Sequence, residues 1–151
     1  MASPLNSTAA ASLGLLCARV PMGVYFALAG LHKITGGIGK FVDGTIGLAT
    51  KVMPEQLGRA FLTALPFAEL LVGISLVFGL LGRLGGLVGS LLLISFLIAA
   101  TGVAPGSSGG PFHPNLVFLG VALLVLFAGP GKISLDNVIF KPKPPTETTS
   151  P

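Results

Sequence analysis

From Leu84 to Gly131 the chain carries no Asp, Glu, Lys or Arg. A soluble domain turns part of every long segment toward water and places charge there, so a run of this length without charge points to a different solvent. The run is far longer than the roughly 20 residues that take a helix across a hydrocarbon core about 30 Å thick. It therefore contains more than one crossing. It breaks at residues 104–114, Ala-Pro-Gly-Ser-Ser-Gly-Gly-Pro-Phe-His-Pro, where Gly and Pro end one helix and permit a turn before the next.

The rest of the chain carries the same signature. Only 9% of the 151 residues are charged, against roughly 25% in an average globular protein. The hydrophobic share is 52%, the mean hydropathy is +0.90 and there are 22 glycines, the composition of helices packed in a bilayer. These figures exclude a soluble globular enzyme, a disordered chain and a nucleic-acid binder. The net charge of +4 comes from nine Lys and Arg against five Asp and Glu, with no basic cluster, and implies no anionic polymer as partner.

Hydropathy predicts four spans, about 13–31, 61–81, 84–103 and 115–127. The expected fold is an all-α integral membrane four-helix bundle, one domain over residues 1–140 with both termini on the same side. Residues 141–151, Lys-Pro-Lys-Pro-Pro-Thr-Glu-Thr-Thr-Ser-Pro, have no apolar material for a core and read as a disordered tail. Arg19 falls inside the first apolar run and no basic segment precedes it, so the first span reads as retained rather than as a cleaved signal. The loop after span one carries Lys33, Lys40, Lys51 and Arg59, and the opposite side carries Arg83, Lys132, Lys141 and Lys143. That is a near tie by the positive-inside rule, and cytoplasmic termini are the orientation taken. Within the loop Val42, Ile46, Ala49 and Met53 recur at helical spacing, which predicts a short interfacial helix over about 40–53, or else a loop broken by Gly44 and Gly47 and folded on the bundle. Pro54 followed by Glu55 reads as a helix start.

Charge inside a span costs about 2.5 to 3.5 kcal/mol on insertion scales, so Arg19 and Glu69 need compensation. Backbone depths differ by roughly 9 Å at 1.5 Å per residue, a gap that an extended arginine nearly closes. The expectation is an Arg19–Glu69 pair, either beside a polar pocket or proton path or as a lock between two helices. Arg83, in the tight turn between spans two and three, is accounted for by snorkelling to phosphate head groups. Gly82 with Gly86 and Gly85 with Gly89 form overlapping GxxxG patterns, which let a helix of this chain or of another approach closely. Pro21 and Pro66 remove backbone hydrogen bonds inside spans one and two and predict kinks there.

His32 and Lys33 close span one and His113 precedes span four, positions suited to a head group, a quinone carbonyl or a partner subunit. Neither histidine is placed to ligate a haem inside the bundle. One cysteine, Cys17, and two histidines make no metal-ligand set, and no nucleophile triad, phosphate loop or flavin fingerprint is present. Ser95 and Thr101 read as donors to backbone carbonyls. After span four, Gly129 is a candidate left-handed C-cap, Pro130 stops the helix, and Ser134 or Asp136 is placed to cap a following turn or to accept from Lys132.

Taken in order, Arg19, Phe26-Ala-Leu-Ala-Gly30-Leu-His-Lys33, Ala68-Glu69 with Gly73 and Gly79, Arg83, and Gly129-Pro130-Gly131-Lys-Ile-Ser134-Leu-Asp136 resemble the DoxX family. The likeness runs over most of the chain, leaving out the first dozen residues and the tail. It implies a four-helix protein of prokaryotic cytoplasmic membranes, related to the small subunit of a thiosulfate:quinone oxidoreductase or terminal quinol oxidase. By that resemblance Arg19, Lys33, Glu69, Arg83 and Asp136 become the polar positions to follow. The chain departs in its Gly-rich first loop and single cysteine, which leaves no thiol pair for sulfur chemistry. The function expected is an accessory subunit of a quinone-linked complex without an intrinsic cofactor, surrounded by lipid and other membrane subunits, with Arg19, Glu69, His32 and Lys33 lining a quinone or lipid pocket. A helix-packing subunit of another large membrane assembly and a small-solute or proton transporter are the alternative readings.

Overall fold

The computed structural model describes residues 7–101 and 114–139. The expected break at 104–114, apart from its last residue, and the expected tail at 141–151 lie outside them, as does His113. Within the described residues all regular structure is helical: α1 (Ser7–Thr35), α2 (Ile38–Ala49), α3 (Glu55–Phe78), α4 (Gly82–Thr101), α5 (Pro114–Ala128) and α6 (Leu135–Ile139). Three are long and apolar enough to cross a membrane, over Ala9–Thr35, Glu55–Phe78 and Gly82–Ala99; the apolar helix Asn115–Ala128 is shorter. The chain is a multi-pass membrane protein.

Local signals set the helix ends. Pro54 is the N-cap of α3 and Glu55 lies in its first turn, where a carboxylate meets the positive end of the helix dipole. Gly79 closes α3 with φ +65°, and the N–H groups of Gly79 and Leu80 return to the carbonyl of Ser75. That left-handed cap is cheap only for glycine. Both α1 and α3 continue through their internal prolines, Pro21 and Pro66.

α1 packs chiefly on α3, α4 on α5, and α2 lies against α3. Met22, Phe26, Leu62, Leu65, Val72, Leu76, Leu93, Ala122 and Val125 form the centre of the core. Leu71, Val117 and Phe127 are among the large apolar side chains turned outward. In water that exposure would be a liability; against acyl chains it is the expected surface, because lipid is as apolar as leucine and helices are held together by close packing instead.

Candidate functional site

The contact between α1 and α3 is backbone against backbone. A Cβ on Gly23 would lie 2.8 Å from the amide nitrogen of Val77, one on Gly30 2.7 Å from that of Leu70, and one on Gly73 2.7 Å from Cα of Ala27. Gly23, Ala27 and Gly30 recur at helical spacing and face Gly73 and its neighbours, a small-residue seam that fixes the register of two antiparallel helices. In that register Gly23 stands opposite Gly73 to Val77, and Gly30 opposite Pro66 to Leu70.

The register decides which cation Glu69 meets. Side chains on a helix lean toward its N-terminus. In an antiparallel pair, Glu69 on α3 therefore leans toward the C-terminal end of α1, while Lys33 leans back toward the middle of α1, and the two converge. Lys33 Nζ donates to both carboxylate oxygens of Glu69 at 2.5 Å. The Glu69 side chain is 3% exposed and that of Lys33 is 23% exposed. Arg19, on the same helix as Lys33, also leans toward the N-terminus of α1, and this carries it away from Glu69. It is buried at the other end of α1, where Nη1 donates to the carbonyls of Leu76 and Val77 and Nη2 to that of Ile133. The expected Arg19–Glu69 pair is thus replaced by two separate arrangements. Glu69 is neutralised by Lys33, and Arg19 meets the carbonyls at the C-terminal, negative end of α3. Among the described residues Arg19 Nε has no partner.

The Lys33–Glu69 pair stands in the wall of a cavity of about 290 Å³. Phe26, Phe41, Phe61 and Phe96 contribute rings to it, and Ser95 and Asn115 contribute polar groups. Lys33 Nζ lies 5.2 Å from the ring centroid of Phe41 and 5.8 Å from that of Phe96, within the range at which an ammonium is attracted to a ring face. α2 brings Phe41, Thr45 and Ala49 to the cavity from one side. On the other, Tyr25 of α1 stacks on Phe118 of α5 with ring centroids 4.9 Å apart. The result is a concave apolar chamber with one strongly polar spot, the usual construction of a site for a small amphipathic ligand.

Of the four residues expected to share a pocket, the structure brings Lys33 and Glu69 together and leaves two apart. Arg19 does not line this cavity, and His32 is exposed in a shallow outer hollow with Leu28, Leu31 and Thr35. The aromatic residues around Lys33 were missed as site residues because α2, α3 and α4 bring them from distant parts of the chain. The seam of Gly23, Ala27 and Gly30 was equally unread, although its spacing is visible in the sequence.

The opposite end of the bundle is a structural clasp. Asp136 accepts the N–H of Leu81 at Oδ1, 2.7 Å, and that of Gly82 at Oδ2, 2.9 Å, and its own N–H donates to the carbonyl of Gly79. It caps α4, not a turn of its own segment and not Lys132. Ser134 Oγ accepts from the N–H of Asn137 and donates to the carbonyl of Gly131. Gly129 and Gly131 have φ of +80° and +83°. The glycines of the α4 patterns are used inside the chain: a Cβ on Gly86 would lie 2.7 Å from the Leu126 nitrogen, one on Gly82 2.5 Å from Pro130 Cβ, one on Gly85 3.1 Å from Ser75 Cβ and one on Gly89 3.3 Å from Val72 Cγ1. Arg83 is exposed beside Gly129.

The family model described as DoxX matches residues 14–105, a region that contains Arg19, Lys33, Glu69 and Arg83 but ends before the segment Gly129 to Asp136. The chain is also similar to a protein of Escherichia coli (strain K12) described as inner membrane protein YqjF, with 34% identity over 135 residues that cover 85% of this chain and 94% of that protein. No solved structure matches.

Proposed function

The chain belongs to the DoxX family, and on that premise we propose that it is an accessory subunit of a quinone-linked oxidoreductase in the cytoplasmic membrane of a prokaryote, holding a quinone or other apolar lipid beside Lys33 and Glu69. The observation that carries the reading is the cavity itself, an aromatic chamber with a buried ammonium–carboxylate pair in its wall. A flat ring bearing carbonyl acceptors suits such a chamber. The Lys33 ammonium is a donor for a ring oxygen, Glu69 holds that ammonium in place, and the Phe41 and Phe96 rings flank it. Reversible uptake of electrons and protons is the chemistry a quinone supplies when bound; the subunit contributes position and electrostatics and no cofactor of its own. The likeness to an inner membrane protein of Escherichia coli supports the location.

In this reading α5 is the fourth crossing, which returns both termini to one side. Its 15 residues span about 22 Å at 1.5 Å each, less than the hydrocarbon core, and local thinning of the bilayer accommodates such a mismatch at modest cost. Reporter fusions at the two termini should report the same side.

Purification from native membranes in mild detergent tests the function. The expected result is co-elution with redox subunits and extractable quinone, and a Lys33→Met, Glu69→Leu variant that assembles without the quinone. A protein that elutes alone and yields no quinone would overturn the reading. The buried pair also suits a purely structural lock between α1 and α3; in that case Glu69→Gln weakens assembly while electron transfer in the assembled complex is unchanged.

A further inference from the structure

We propose that the end of the bundle opposite Glu69 carries a docking site for one anionic phospholipid, with its phosphate held between Arg83 and Lys132. The two cations line an open groove of about 1000 Å³ between the first turns of α1, the α3–α4 turn and the segment after α5. Both are exposed, and among the described residues neither forms a salt bridge. Asp136 lines the same groove, but both of its oxygens accept backbone N–H groups, and its charge faces the buried Arg19. Among the described residues three cations, Arg19, Arg83 and Lys132, thus stand with one carboxylate at this end, and Arg83 and Lys132 are the two exposed ones.

At the other end Glu69 takes Lys33, and Asp43 and Glu55 both take Arg59, while the exposed Lys40 and Lys51 form no salt bridge among the described residues and do not line the cavity there.

Position selects a lipid over other anions. Arg83 is the second residue of α4 and stands where the apolar span Gly82–Ala99 begins, at the depth of phosphate groups. From the groove, Leu84, Leu87 and Leu91 continue down one face of α4 and are all exposed, so a headgroup seated between the cations has an apolar track for its chains. The docking site is independent of the quinone reading, which concerns the other end of the bundle.

The test uses the full chain purified in detergent and re-lipidated with equal parts of phosphatidylglycerol and phosphatidylcholine, with the retained lipid classes measured by native mass spectrometry. Wild type should retain phosphatidylglycerol preferentially, and R83Q/K132Q should lose about tenfold of that preference, since each basic residue near an anionic headgroup contributes substantially to its retention. K40Q/K51Q, which removes two exposed cations at the other end, should retain the preference. Each of R83Q and K132Q alone should show a partial loss. An unchanged lipid ratio in R83Q/K132Q overturns the proposal, as does displacement of phosphatidylglycerol by inorganic phosphate alone, which would mark a site for free anions.

Discussion

Lys33 and Glu69 are joined by hydrogen bonds from one ammonium to both carboxylate oxygens at 2.5 Å, across 36 positions of sequence. The pair ties the C-terminal part of α1 to the middle of α3, next to the cavity. Breaking a buried pair by removing one partner costs about 3–5 kcal/mol when both groups are dry. Lys33 retains some solvent contact, so Glu69→Gln should destabilise by less, about 1–3 kcal/mol. Thermal unfolding in detergent measures it, and combining Glu69→Leu with Lys33→Met should recover part of the loss because no charge is then left unpaired.

Arg19 gives a separate prediction. Its guanidinium serves three carbonyls at two places in the chain, a fork that the single ammonium of lysine does not reproduce. Arg19→Lys should therefore lose stability, by roughly 1–3 kcal/mol. A double-mutant cycle between Arg19 and Glu69 should give a coupling under about 0.5 kcal/mol, whereas the Lys33 and Glu69 cycle should exceed it. Strong coupling between Arg19 and Glu69 would contradict the arrangement described.

Glycine substitutions should divide by location. Gly73→Ala puts a methyl 2.7 Å from both Ala27 Cα and the Gly23 carbonyl oxygen, and backbone atoms cannot yield without moving a helix. A loss of about 1–3 kcal/mol is expected. Gly44 lies inside α2, is exposed, and has nothing within 4 Å of an added Cβ. Gly44→Ala should stabilise by about 0.5–1 kcal/mol through helix propensity alone. Denaturation midpoints of the two variants should move in opposite directions.

The α3–α4 turn supplies the fourth prediction. Leu81 has φ +51°, a left-handed conformation that costs a side-chain-bearing residue roughly 1–2 kcal/mol, and its N–H is held by Asp136. Leu81→Gly relieves the strain and should be neutral or stabilising by about 1 kcal/mol. Asp136→Ala removes the acceptor for two N–H groups and should cost about 0.5–2 kcal/mol. Hydrogen exchange at Leu81 and Gly82 reads both effects locally.

Membrane residence and the helical segments were written in the sequence, because both follow from composition summed over a window. The absence of charge from Leu84 to Gly131 marks a membrane protein by composition alone, and Pro54-Glu55 marks the start of α3 by chemistry confined to a few residues. The resemblance to DoxX rested on residues legible one at a time, Arg19, Lys33, Glu69 and Arg83 among them together with Gly73, Gly79 and the closing Gly129 to Asp136. The pairing of the charged residues was not legible there. Depth along a span gave Arg19 to Glu69, but depth says nothing of the rotation of each helix or the direction in which its side chains lean. The Gly23, Gly30 and Gly73 seam sets the register, the N-terminal lean of side chains then brings Lys33 to Glu69, and α2 and α4 supply the rings around them. The tertiary structure alone decided which cation meets Glu69, because that choice depends on contacts between helices, whereas hydropathy depends only on each segment and its solvent.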